Sequence, residues 1–218
     1  METRFKNVFK DHVATVIDID EDTQILKWAK EGTRIYSIEF VFRKNYIYVS
    51  GDVGSAVFNT TWKPKWDYDW ERTELGYFAS KCECCKGDIF VFDEDAAIQQ
   101  CKEYYKEGYF YSMPDDEYER LFEYLKNSAT WDTWSWIEDD EEIEEYEDDK
   151  EVLKQMFCVI KAIISSSSVD GYIYTLQSDH DFEDFNDFFE FGYGFGKELN
   201  SYFEIWLLAL HLAKKQLE

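Results

Sequence analysis

The chain has 218 residues, with 47 acids against 23 bases, a formal net charge of −24 and an aromatic content of 19%. That length suits one domain or two small ones, and so many rings exclude a wholly disordered acidic protein, which characteristically lacks them. Phosphate recognition needs clustered Lys and Arg, so with only five arginines (Arg4, Arg34, Arg43, Arg72 and Arg120) the composition argues against direct nucleic-acid binding and against anionic membranes.

Phe5, Val8, Phe9 and Val13 fall at helical spacing and predict a short N-terminal helix. Val16–Ile19 and Ile25–Trp28 are interrupted by charge and give no clear period. From Arg34 the chemistry is that of strands: Ile35–Phe42, Tyr46–Ser50 and Ser55–Trp62 are rich in β-branched and aromatic residues, with turn signals at Arg43–Asn45 and Gly51–Gly54. They read as a three-stranded antiparallel meander over about 34–62. Beyond Pro64 the apolar stripes are helical, over Leu75–Glu83, Glu94–Lys106, Asp115–Lys126, Glu151–Ile164, a segment carrying Phe182, Phe185, Phe188 and Phe189, and Leu199–Leu217. The expected class is α+β, an N-terminal antiparallel β-meander followed by a mostly helical C-terminal part. The charge divides unevenly, net −8 over 1–128 and net −16 over 129–218, which suggests an α+β part and an acidic helical part, with one continuous domain as the alternative.

METRFKNVFKDH has no apolar core of a secretory signal, and an odd count of five cysteines favours reduced thiols; both lead to the expectation of a cytoplasmic protein. The apolar stretch Ile205–Leu210 is too short for a bilayer, and the helix around Trp206 offers an oligomer seam.

The stretch Glu138–Glu151 carries eleven carboxylates and one lysine in fourteen residues. Such a run is either a solvated connector or a surface for something basic. In the second reading Asp139, Asp140, Glu141, Glu142, Glu144, Glu145, Asp148 and Asp149 stand in for phosphates, which a duplex spaces at one charge per ~1.7 Å of axis. Trp131, Trp134 or Tyr146 then anchor the contact, while Ile143 and Tyr146 lie three apart. The implied partner is a basic nuclease or other nucleic-acid-binding protein.

Other constellations are weaker. Cys82, Cys84 and Cys85 form C-x-C-C, in which Cys82 and Cys85 satisfy one half of a zinc motif without a second pair; thiols on a helix near the core are the default. Asp18, Asp20 and Asp22 open like a calcium loop, but Thr23 and Ala29 stand where Gly and Glu are needed. These Asp residues, or the Asp179–Asp187 cluster, leave a metal-dependent hydrolase as an alternative. Phe191–Leu199 lacks the spacing of a phosphate loop, and its glycines read as a turn. No cofactor and no metal are expected, and no catalytic residue is assigned.

With the acidic run, the scarce arginine and the segment YIYVSGDVGSAVFNTTW (Tyr46–Trp62) in view, the chain resembles the small acidic inhibitor proteins of phages and mobile elements, of the anti-CRISPR or anti-restriction type. The resemblance implies a non-enzymatic inhibitor of a host nuclease. An immunity or antitoxin protein capping a basic toxin is the alternative in the same class.

Overall fold

The computed structural model describes residues 5–131, 134–137, 143, 146–178 and 192–218. The chain forms two compact units, a sheet unit of 1–89 with 199–218 and a helical unit of 90–198. The expected boundary at 128/129 instead falls inside a helix, Asp115–Ala129, whose Leu125 and Ala129 belong to the helical core. Charge density changes at that point in the sequence; the packing does not.

The sheet unit holds six antiparallel strands in chain order: β1 (Val13–Asp20), β2 (Thr23–Ala29), β3 (Ile38–Arg43), β4 (Tyr46–Gly51), β5 (Ala56–Asn59) and β6 (Cys82–Cys85). The expected meander is β3–β5. Its alternation puts Ile38, Phe40, Phe42, Ile47, Val49, Ala56 and Phe58 on one buried face. β1 and β2 extend it because Leu26 and Trp28 face the same core, while the charges that obscured the pattern, such as Lys27, point to solvent. Helix α1 (Leu75–Ser80) is shorter than expected, and the cysteines after it pair with β5. Near the N-terminus only a 3₁₀ turn forms, Lys6–Phe9, since Val13 already starts β1.

The buried sheet face packs on the C-terminal helix Ser201–Leu217. Trp206 stands edge-on to Phe58 at 5.9 Å and to Phe203 at 5.3 Å. The residues expected to form an oligomer seam are therefore consumed inside the unit. Each such buried side chain contributes about 1.5–3 kcal/mol. The same helix secures the edge of β1: Ala14 N–H donates to Gln216 Oε1 at 2.6 Å, and Gln216 Nε2 donates to the His12 carbonyl at 3.0 Å. On the opposite sheet face Ile17, Ile25, Val41, Tyr48, Val57 and Cys84 stand in register across all six strands.

His12 is buried against Phe9 and Trp28, with ring centroids at 5.0 and 5.7 Å. Burial pushes its pKa below the ordinary 6.5, partly offset by the Tyr36 and Ile35 backbone. A base with a lowered folded pKa binds fewer protons folded than unfolded, so its contribution is full above pH 6.5 and is lost as pH falls below that value. Urea denaturation should find the native chain losing more stability between pH 7.5 and 5 than His12→Phe; equal losses would show that His12 does not titrate on unfolding.

In the helical unit, strands β7 (Phe90–Phe92) and β8 (Lys197–Leu199) pair, and the helices are α2 (Glu94–Gly108), α3 (Asp115–Ala129), α4 (Trp134–Ile137), α5 (Lys150–Ile164) and α6 (Val169–Ser178). Asp93 caps α2 by accepting from Ala96 N–H at 2.9 Å. α3 starts after Pro114 with Asp115, Asp116 and Glu117, acids that suit the positive end of the helix dipole. α5 is the hub, burying Leu153, Met156, Phe157, Val159, Ile160 and Ile163 against α2 and α3. Gly196 donates to Gln100 Oε1 at 2.8 Å, and Tyr172 Oη donates to the Gly192 carbonyl at 3.0 Å, so the glycine-rich turn is a packing element. The helix expected around Phe182, Phe185, Phe188 and Phe189 lies outside the described residues.

No helix among the described residues is long and apolar enough to cross a membrane.

Candidate interaction surface

The two units differ sharply in charge. The sheet unit has 17 acids and 15 bases, net −2, while the helical unit has 30 acids and 8 bases, net −22. Nearly all of the excess charge therefore belongs to one compact unit, a sharper division than the sequence halves suggest.

Within that unit Lys102, Lys106 and Lys161 lie over aromatic rings, while Arg120 and Lys197 stand exposed. Lys102 pairs with Glu119 and lies 5.4 Å over the Phe122 ring. Lys106 pairs with Asp115 at 3.1 Å and lies 5.3 Å over Tyr118. Lys126 pairs with Glu123, and Lys161 lies over Phe157. The stems of Lys102, Lys106 and Lys161 cover aromatic surface while Glu94, Asp95, Glu103, Glu107, Asp116 and Glu119 stand exposed. The field the unit presents to solvent is therefore negative.

Asp139, Asp140, Glu141, Glu142, Glu144 and Glu145 lie outside the described residues. Ile143, in their midst, is fully buried in the helical core. Tyr146 is half-buried, and its hydroxyl donates to Glu117 Oε1 at 3.3 Å. Both residues thus face inward and fasten the stretch, where a role as partner contacts was expected. Asp148 is exposed and Asp149 half-exposed at the start of α5, where their charge also favours the helix dipole.

The tryptophans separate. Trp134 is buried, with its ring 5.8 Å from Phe157, and serves the core; its expected role as an anchor is corrected accordingly. Trp131 follows the end of α3 and is 85% exposed, so it is the ring available to a partner. The Tyr146–Glu117 bond brings the end of the acidic stretch to the first turn of α3, whereas Trp131 follows that helix about 20 Å along its axis. Tyr146 and Trp131 therefore belong to one unit and stand near opposite ends of α3.

The acids of α3 were not among the expected partner contacts. Their signal was present: Tyr118, Leu121, Phe122 and Leu125 form the buried stripe, which leaves Asp116, Glu119 and Glu123 for the other side at neighbouring-turn spacing.

Of the alternative sites, the Asp179–Asp187 cluster lies outside the described residues, and Asp18, Asp20 and Asp22 are structural. Asp22 pairs with Lys63 at 2.5 Å, Asp20 accepts the Asp22 N–H at 2.8 Å, and Asp18 accepts from Gln24 Nε2 at 2.7 Å, so these carboxylates serve the β1–β2 hairpin. Among the described residues no group of three or more His, Cys, Asp or Glu is placed to hold a metal ion.

Comparison with protein-family models, curated proteins and solved structures found no match to this chain.

Proposed function

We propose that the chain is a non-enzymatic acidic inhibitor that binds a basic nucleic-acid-binding protein, such as a CRISPR nuclease or another host-defence nuclease, and blocks nucleic-acid access by phosphate mimicry. The observation that carries this reading is the net −22 of the helical unit beside a nearly neutral sheet unit. Lysines laid over aromatic rings and exposed carboxylates support it, because a basic groove built for phosphates attracts such a surface over distance and orients it on approach. Asp148 and Asp149 add support, standing exposed and half-exposed at the start of α5, a helix packed in the unit's core.

The test is a paired pull-down from bacterial lysate at low salt. One bait is the native protein; the other carries Asp139, Asp140, Glu141, Glu144 and Glu145 changed to the amides. Capture of a nucleic-acid enzyme by the first and its loss from the second is the expected result. With that partner purified, affinity should fall roughly tenfold or more between 0.05 and 0.5 M salt. Equal capture by both baits, or an affinity indifferent to salt, would remove the basis of the proposal.

A further inference from the structure

The three clustered cysteines are arranged on β6 in a way the sequence does not reveal. In a regular strand, residues three apart point to opposite faces. Here the pairing of β5 with β6 shifts register between Val57 and Phe58: Ala56 faces Cys85, Val57 faces Cys84, and Phe58 faces Cys82. Glu83 is the extra residue of a β-bulge, and the irregularity returns both Cys82 and Cys85 to the core side, where each is half-buried against the sheet unit's core. Cys84 is exposed on the other face.

The bulge also shortens the pair. Three residues of β6 span the two-residue step from Ala56 to Phe58, a Cα separation of about 7 Å. That is at the upper limit for a disulfide, whose Cα atoms usually lie about 4.4–6.8 Å apart. One bound ion is less demanding, since two metal–sulfur bonds of about 2.3 Å bridge sulfurs up to roughly 4.6 Å apart. Cys85 Sγ hydrogen-bonds to the Gly87 carbonyl at 3.3 Å, which holds its side chain in place.

We propose that Cys82 and Cys85 form a two-thiolate site for one soft metal ion of the Cu(I) class. The donor set decides the class: zinc is held by four ligands, and no third His, Cys, Asp or Glu among the described residues joins this pair. A soft monovalent ion is satisfied by two thiolates. Binding balances as Cu⁺ with two thiols giving a dithiolate complex of net charge −1 and two released protons. Neither sulfur changes oxidation state.

The experiment uses the full chain under anaerobic, reducing conditions, titrated with Cu(I) held as its bis-bicinchoninate complex. The native protein and Cys84→Ser should each withdraw one equivalent, while Cys82→Ser and Cys85→Ser should bind at least 100-fold more weakly with unchanged far-UV circular dichroism. A second measurement needs no variant: one equivalent of Cu(I) should shield Cys82 and Cys85 from iodoacetamide, read by peptide mass spectrometry, while Cys84 remains labelled. The proposal is overturned if Cys84 is shielded to the same extent, if Cys84→Ser loses binding as Cys82→Ser does, or if the Cys82→Ser/Cys85→Ser double variant binds as the native protein does.

Discussion

Gly51→Ala should destabilise the sheet unit by about 3 kcal/mol or more, because two penalties coincide there. Gly51 ends β4 with φ at 139°, a conformation that L side chains rarely adopt. A β-carbon would also lie 2.1 Å from the Ser37 carbonyl oxygen and 3.1 Å from Ile38 Cα. Those atoms are backbone, and the same Ser37 oxygen accepts from Asp52 N–H at 2.9 Å, so they cannot retreat without opening the β3–β4 ladder. Gly32→Ala is the comparison: φ there is 75° and nothing lies within 4 Å of the added carbon. It should cost only the left-handed penalty of about 1–2 kcal/mol. Urea denaturation of both variants separates strain from collision; equal losses would show that β3 and β4 part easily.

The second large effect divides anchor from contact within the helical unit. Ile143→Ala should cost about 2–5 kcal/mol, since it empties a fully buried site in a packed core. Trp131→Ala should change stability by less than about 0.5 kcal/mol, because the ring is 85% exposed. Against the captured partner the order reverses: Trp131→Ala lowers affinity directly, by about 2 kcal/mol or more if the ring is an interface hot spot. Ile143→Ala should act on affinity only through the lost stability of the unit. Calorimetric melting and titration binding of the two variants give four numbers, and a Trp131→Ala variant that melts early but binds normally would invert the assignment.

How much of this could be read from the sequence depended on whether the pattern was local. β3–β5 were legible because Phe40, Phe42, Ile47, Val49 and Phe58 alternate cleanly. α2, α3 and α5 were legible from their apolar stripes. β1 and β2 were not, because Asp18 and Gln24 continue the side of Val16 and Leu26 while Lys27 points to solvent, so polar residues break the hydropathy period without breaking the strands. β6 was hidden more deeply. Cys82–Cys85 become a strand only because β5 offers them an edge, and no window of sequence contains that information. The division into units was missed for the same reason, since the return of 199–218 to the sheet is a long-range contact. For the interaction surface, the excess acid was plain from composition, and the exposure of Trp131 against the burial of Trp134 and Ile143 required the fold.

The helical unit is spliced between β6 and the helix that completes the sheet, and this fixes an order of events at the ribosome. All six strands are synthesised before residues 90–198, yet Trp206, Leu207 and Leu210, which share a core with Phe40, Phe42 and Phe58, come after them. At about 5–20 residues per second, a nascent sheet waits roughly 5–20 s with its greasiest side bare. The residues made in that interval carry net −22, a charge on the same nascent chain that opposes self-association while the sheet waits for its last helix.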